Sequence, residues 1–112
     1  MPTSSPKGHL VQRIIDVLER DYANAVTLRA VASKVGRHPG YLGAIFKREV
    51  GLTSRAYLTR VRLQHAAELI ETGVKIEAVS LDVGYRSKKN FYHHFKQQFG
   101  MTPKQYRDRR GL

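Results

Sequence analysis

Apolar residues in this chain recur every three or four positions, with polar residues between them, in one segment after another. Leu10, Ile14, Val17 and Leu18, interleaved with Arg13, Asp16, Glu19 and Arg20, predict a first helix over residues 9–22. The longest periodic stretch, from Tyr57, Leu58 and Val61 through Leu63, Ala66 and Ala67 to Leu69 and Ile70, follows Thr53 as a cap and runs until Gly73 stops it. A helix of its roughly 19 residues spans about 28 Å at 1.5 Å per residue.

The pattern also repeats. When "LRAVASKVGRHPGYLGAIFKREVGLT" (28–53) is laid over "IEAVSLDVGYRSKKNFYHHFKQQFGMT" (76–102), Leu28 meets Ile76, Val31 meets Val79, Val35 meets Val83 and Gly36 meets Gly84. One extra residue in the second copy's turn then brings Leu42 onto Phe91, Phe46 onto Phe95, Gly51 onto Gly100 and Thr53 onto Thr102. Each copy reads as helix, glycine-containing turn, helix, the layout of a helix-turn-helix. Pro39 suits the first position of the second helix in the first copy, and Ser87 suits the N-cap in the second. Thr102, Pro103 and Gln105 have capping-box spacing for a short last helix over 103–110.

The expected fold is therefore all-α, with about seven helices arranged as two helix-turn-helix subdomains joined by a long linker helix. The boundaries are a leader or linker over residues 1–8, a first subdomain over 9–52, the linker helix over 53–73 and a second subdomain over 74–112. The opening "MPTSSPKG" has the composition of a flexible leader, or of the tail of a linker to another domain.

Charge narrows the function. Twenty lysines and arginines against 9 acids give +11, with an isoelectric point near 10.4, which calls for a polyanionic partner. The basic residues form two zones. From Arg29 to Arg62 the only acid is Glu49, and Arg86 to Gln98 holds Arg86, Lys88, Lys89, Lys96 and two histidines with no acid. A chain of 112 residues leaves little room for a deep catalytic cleft. It has no cysteine, no G-x-S-x-G elbow, no glycine-rich phosphate loop and no H-E-x-x-H. Adjacent His93 and His94 point about 100° apart on a helix and do not share a metal. No catalytic residue, metal or cofactor is expected, and the lack of a long apolar run or signal peptide leads to an expectation of a cytoplasmic protein without membrane contact.

In the second helix of the second copy, Phe91, Phe95 and Phe99 fall within an arc of about 80°, marking the buried side. Lys88, Lys89, Asn90 and His93 lie away from it as candidates for base-edge contact, with Tyr92 at the border. Lysine can donate to guanine O6 and N7, and asparagine can pair with adenine N7 and N6. Ser87 caps this helix, while Arg86 in the turn and Lys96 further along suit phosphates. In the first copy the outward positions are Gly40, Gly43 and Ala44, surrounded by Arg37, His38, Tyr41, Lys47 and Arg48. This set either lets the helix sit deep, with Ala44 against a thymine methyl, or only grips the DNA backbone.

Two helix-turn-helix units bridged by a long helix, together with "YLGAIFKREVGLT", "YLTRVRLQHAAELI" and "VGYRSKKNFYHHFKQQFGMTPKQYR", resemble the DNA-binding domain of AraC/XylS-type bacterial transcription regulators. The resemblance covers residues 10–107. Its most specific part is G-[FY]-x-S, F, then F-K-x-x-F-G-x-T-P-x-x-Y-R, met by Gly84, Tyr85, Ser87, Phe91, Phe95, Lys96, Phe99, Gly100, Thr102, Pro103, Tyr106 and Arg107. The resemblance implies sequence-specific binding to double-stranded promoter DNA and activation through contact with RNA polymerase. It also implies a sensor or dimerisation domain N-terminal to this region in a longer parent chain. The family's base-contacting positions fall on Lys88, Lys89, Asn90, Tyr92 and His93 in the second reading helix. In the first they fall on Gly40, Tyr41, Gly43 and Ala44, where the family often has polar or arginine side chains. Two other readings of the charge are a non-specific nucleoid-type DNA- or RNA-binding protein and a basic protein-interaction module.

Overall fold

A computed structural model describes residues 6–109, which form seven α-helices and no strand. These are α1 (Pro6–Asp21), α2 (Leu28–Val35), α3 (Pro39–Val50), α4 (Ser54–Glu71), α5 (Ile76–Asp82), α6 (Lys88–Phe99) and α7 (Pro103–Arg109). The first helix begins at Pro6 rather than at residue 9, because proline is tolerated in an opening turn whose N–H groups have no helical partner. Pro6, Lys7 and Gly8, expected in the leader, thus belong to α1. The rest of that leader, residues 1–5, lies outside the described residues.

The chain divides into two compact units, Met1–Leu58 and Thr59–Leu112. The first packs Val11, Ile14 and Leu18 of α1 against Val31 and Ala32 of α2, Leu42, Ile45 and Phe46 of α3, and Leu58 of α4. Phe46 meets the Tyr57 ring edge-on with centroids 5.7 Å apart, and the Tyr57 hydroxyl donates to Glu19 at 3.1 Å. The second unit packs Leu63, Ala66, Ala67 and Ile70 of α4 with Ile76 and Val79 of α5 and with Phe91 and Phe95 of α6. Tyr106 of α7 closes it, edge-on to Phe95 at 5.6 Å, while its hydroxyl donates to Glu71.

The long helix is therefore no free-standing spacer. An isolated helix of its 18 residues would be marginal in water, and α4 holds because its N-terminal part lends Leu58 to one core and its C-terminal part four residues to the other. The division between the two compact units falls inside it, between Leu58 and Thr59.

Hydroxyl caps open α2, α4, α6 and α7, and one pair of them, Thr53 and Thr102, keeps the register of the repeat. Thr27, Thr53, Ser87 and Thr102 each accept, through their hydroxyls, the N–H three residues on, at 3.0–3.2 Å. Gln105 answers Thr102 by accepting its N–H at 2.9 Å, completing the expected capping box. The extra residue of the second copy sits in the turn. In the first, Gly36 closes α2 directly at φ +69° and α3 begins at Pro39. In the second, Val83 ends α5 with an ordinary φ of −92°, Gly84 makes the left-handed step at φ +100°, and α6 begins at Lys88. Only glycine takes such angles without a Cβ penalty.

Candidate nucleic-acid interface

In the second unit, Ser87 accepts the Asn90 N–H at 3.1 Å and starts α6 at Lys88. Phe91 and Phe95 are wholly buried, and Phe99 packs partly beneath them. That anchor turns Lys89, Asn90, His93 and Lys96 outward, all exposed, as helical periodicity requires. Arg86, in the turn, is exposed as well. The side chains expected to read bases thus share one solvent-facing surface with those expected to meet phosphate.

Lys88 and Tyr92 are more constrained than the pattern suggests. The Lys88 ammonium reaches Glu77 of α5 at 3.4 Å and lies 5.9 Å from the centre of the Tyr92 ring. Tyr92 is half-buried and edge-on to Phe91 at 6.0 Å. Lys88 therefore ties α5 to α6 across the turn. Glu77's carboxyl is held below its ordinary range, first by its own backbone N–H and then by Lys88. Glu77 lies eleven residues away on another helix, so nothing in local spacing marks the pair.

A second tie, also illegible in the sequence as a contact, fixes α6 from beneath. The Tyr85 hydroxyl and His94 Nδ1 are 2.8 Å apart, with the two rings edge-on at 5.6 Å. Burial pushes the Tyr85 hydroxyl up, against the opposing pull of Arg62 and of a hydrogen bond with Thr59, both on α4. Burial in turn lowers the Arg62 guanidinium. The signal was the phenylalanine arc: at about 100° per residue His94 leaves the helix about 60° from Phe91 and His93 about 160° from it, and His94 is the one turned inward.

The first unit's α3 presents a different surface. Arg37, His38, Gly40, Tyr41, Ala44 and Lys47 are exposed, Tyr41 by 41%. Gly43, expected to face outward, is only half exposed, and a Cβ there would stand 3.3 Å from the Leu28 side chain. Its glycine is explained by the close approach of α2. At Gly40 a Cβ would meet the His38 ring at 3.2 Å, and that ring caps α3 by accepting the Gly40 N–H through Nδ1 at 3.0 Å. Both glycines thus answer to packing within this unit.

The helix-turn-helix domain family model matches residues 31–109, spanning both copies of the motif. The chain belongs to the AraC-type helix-turn-helix family. Among similar proteins, the AraC-type chain is 34% identical over 98 residues to the melibiose operon regulatory protein of Escherichia coli, covering 87% of this chain and 32% of that protein. It is 31% identical over 98 residues to the lactose operon transcription activator of Staphylococcus xylosus, covering 87% of this chain and 35% of that one. The C-terminal domain of AraT, a response regulator from Geobacillus stearothermophilus, superimposes with a TM-score of 0.85 at 31% identity, over 93% of this chain and 85% of that one. The chain spans about a third of the length of the two curated relatives. Among the described residues no helix is long and apolar enough to cross a membrane, and no group of three or more metal-ligating side chains comes together.

Proposed function

We propose that this AraC-type domain binds double-stranded promoter DNA sequence-specifically, with α6 reading bases in one major groove and α3 engaging the adjacent one, and that it regulates transcription in the cytoplasm. The observation that carries the reading is the surface of α6. Lys89, Asn90 and His93 stand exposed over a rigid aromatic anchor, with Arg86 and Lys96 placed for flanking phosphates. Activation, through contact with RNA polymerase, is the direction favoured by similarity to the lactose operon activator. A sensor domain in a longer parent chain fits the fraction of its relatives that this chain spans.

Selection of bound sequences from a random duplex library tests the reading. The expected result is an enriched site of roughly 20 base pairs whose sequence information is concentrated in the segment read by α6, with little in the segment about one helical turn away that α3 engages. A ratio of selected to random affinity near one at physiological salt would overturn sequence-specific reading in favour of non-specific binding.

A further inference from the structure

Resting on that reading, we propose that Glu77 is a specificity-determining residue: it holds Lys88, at the start of α6, as a directed donor to a base edge and keeps that ammonium from serving any phosphate within reach. The Lys88 ammonium is 3.4 Å from the Glu77 carboxylate and 5.9 Å from the centre of the Tyr92 ring, held between an anion on α5 and an aromatic face on its own helix. Tyr92 is in turn half-buried and edge-on to the wholly buried Phe91, which ties this seat to the core. An ammonium carries three donors, and Glu77 takes one. The others remain for an acceptor such as guanine O6 or N7. Without the pair, Lys88 would be a cation on a flexible stem, able to meet phosphate beside any sequence.

Stability does not account for the pair. The Lys88 and Glu77 side chains are 58% and 68% exposed, and an ion pair so open to water adds little to folding. Lys88 is the first residue of α6, where a cation opposes the helix dipole, so this lysine works against its own helix. Glu77 lies in the first turn of α5, and its backbone N–H together with Lys88, and Arg107 of α7 behind them, keeps the carboxyl ionised. The segment from Arg86 to Gln98 has no acid of its own, so the anion that restrains its lysine has to come from another helix.

The test measures affinity for the selected duplex and for a scrambled duplex of equal length, across a series of salt concentrations, in the wild-type chain, Glu77→Gln, Glu77→Asp, Lys88→Gln and the Glu77→Gln/Lys88→Gln double variant. At about 0.15 M salt Glu77→Gln should tighten the scrambled complex roughly threefold more than the selected one. Its slope of log K against log salt on the scrambled duplex should steepen by about 0.9, as one further phosphate is neutralised. Glu77→Asp, which keeps the anion, should restore the wild-type ratio of the two affinities. In the Lys88→Gln background, Glu77→Gln should change that ratio by less than about 1.5-fold, because the two residues act as one unit. A wild-type ratio and slope in Glu77→Gln, whatever its melting temperature, would sink the inference and leave the proposed function standing. So would a fall in the ratio that persists without Lys88, since Glu77 would then repel DNA directly. If the wild-type chain shows no preference for the selected duplex, the proposed function falls and takes this inference with it, a failure distinct from the other two.

Discussion

The two helix-turn-helix units share a skeleton and differ in what they show to solvent. Leu42 and Phe46 in the first occupy the places of Phe91 and Phe95 in the second, and all four are wholly buried. Gly51 and Gly100 end the second helix of each with φ +87° and +74°, and their N–H groups donate to Lys47 and Lys96, four residues back. Above that common frame, α6 carries Lys89, Asn90 and His93, whereas α3 carries Gly40, Tyr41 and Ala44. The architecture depends on the buried side of each helix, so the exposed side is free to take a separate task. Under the proposed function, this difference assigns base discrimination to α6 and grip on the duplex to α3.

The comparison is broken most directly at the cores. Phe46→Ala and Phe95→Ala should each cost about 3–5 kcal/mol in denaturant unfolding, since each leaves a cavity among fully buried neighbours. A cost below about 1 kcal/mol in either unit would show that the two anchors are not equivalent. The surfaces come next. Lys89→Ala and Asn90→Ala should each cost about 1–3 kcal/mol on a selected duplex and far less on a scrambled one. Lys47→Ala, on α3, should weaken both duplexes equally. Equal losses for all three variants on both duplexes would erase the division of labour.

Gly51→Ala and Gly100→Ala should each destabilise by about 1–2 kcal/mol, because alanine pays a steric penalty in the left-handed conformation. No neighbouring atom lies within 4 Å of a Cβ at either position, so the cost is one of backbone angle alone and should be alike in the two units. The smallest effect lies at the caps. Ser87→Ala should cost about 1 kcal/mol in thermal unfolding, whereas His38→Ser, which exchanges one capping acceptor for another, should stay within about 0.5 kcal/mol. A large loss in His38→Ser would mean that the imidazole supports the unit beyond its cap.

Much of this was legible in the chain because local rules state it locally. Helical periodicity gave the seven helices, Ser87, Thr53 and Thr102 gave their starts, and the phenylalanine arc gave the buried side of α6 and hence its outward side. The readings that shifted depend on neighbours remote in sequence. Gly43 looked outward on a wheel until α2 brought Leu28 against it. Lys88 looked free until α5 brought Glu77 to it. The Tyr85–His94 bond needed the core beneath α6 to turn one histidine inward.

By itself, then, the sequence determined the number and order of helices, the doubled motif, the basic character and the family, since each of these follows from spacing, caps or composition that neighbouring residues carry among themselves. Only the tertiary structure decided which polar groups are spent holding the fold and which remain for a ligand. A helical wheel knows the direction in which a side chain leaves its own axis, but not what another helix has placed there. That is why Glu77, unremarked in the linear pattern, becomes the partner of Lys88 once α5 and α6 are packed together.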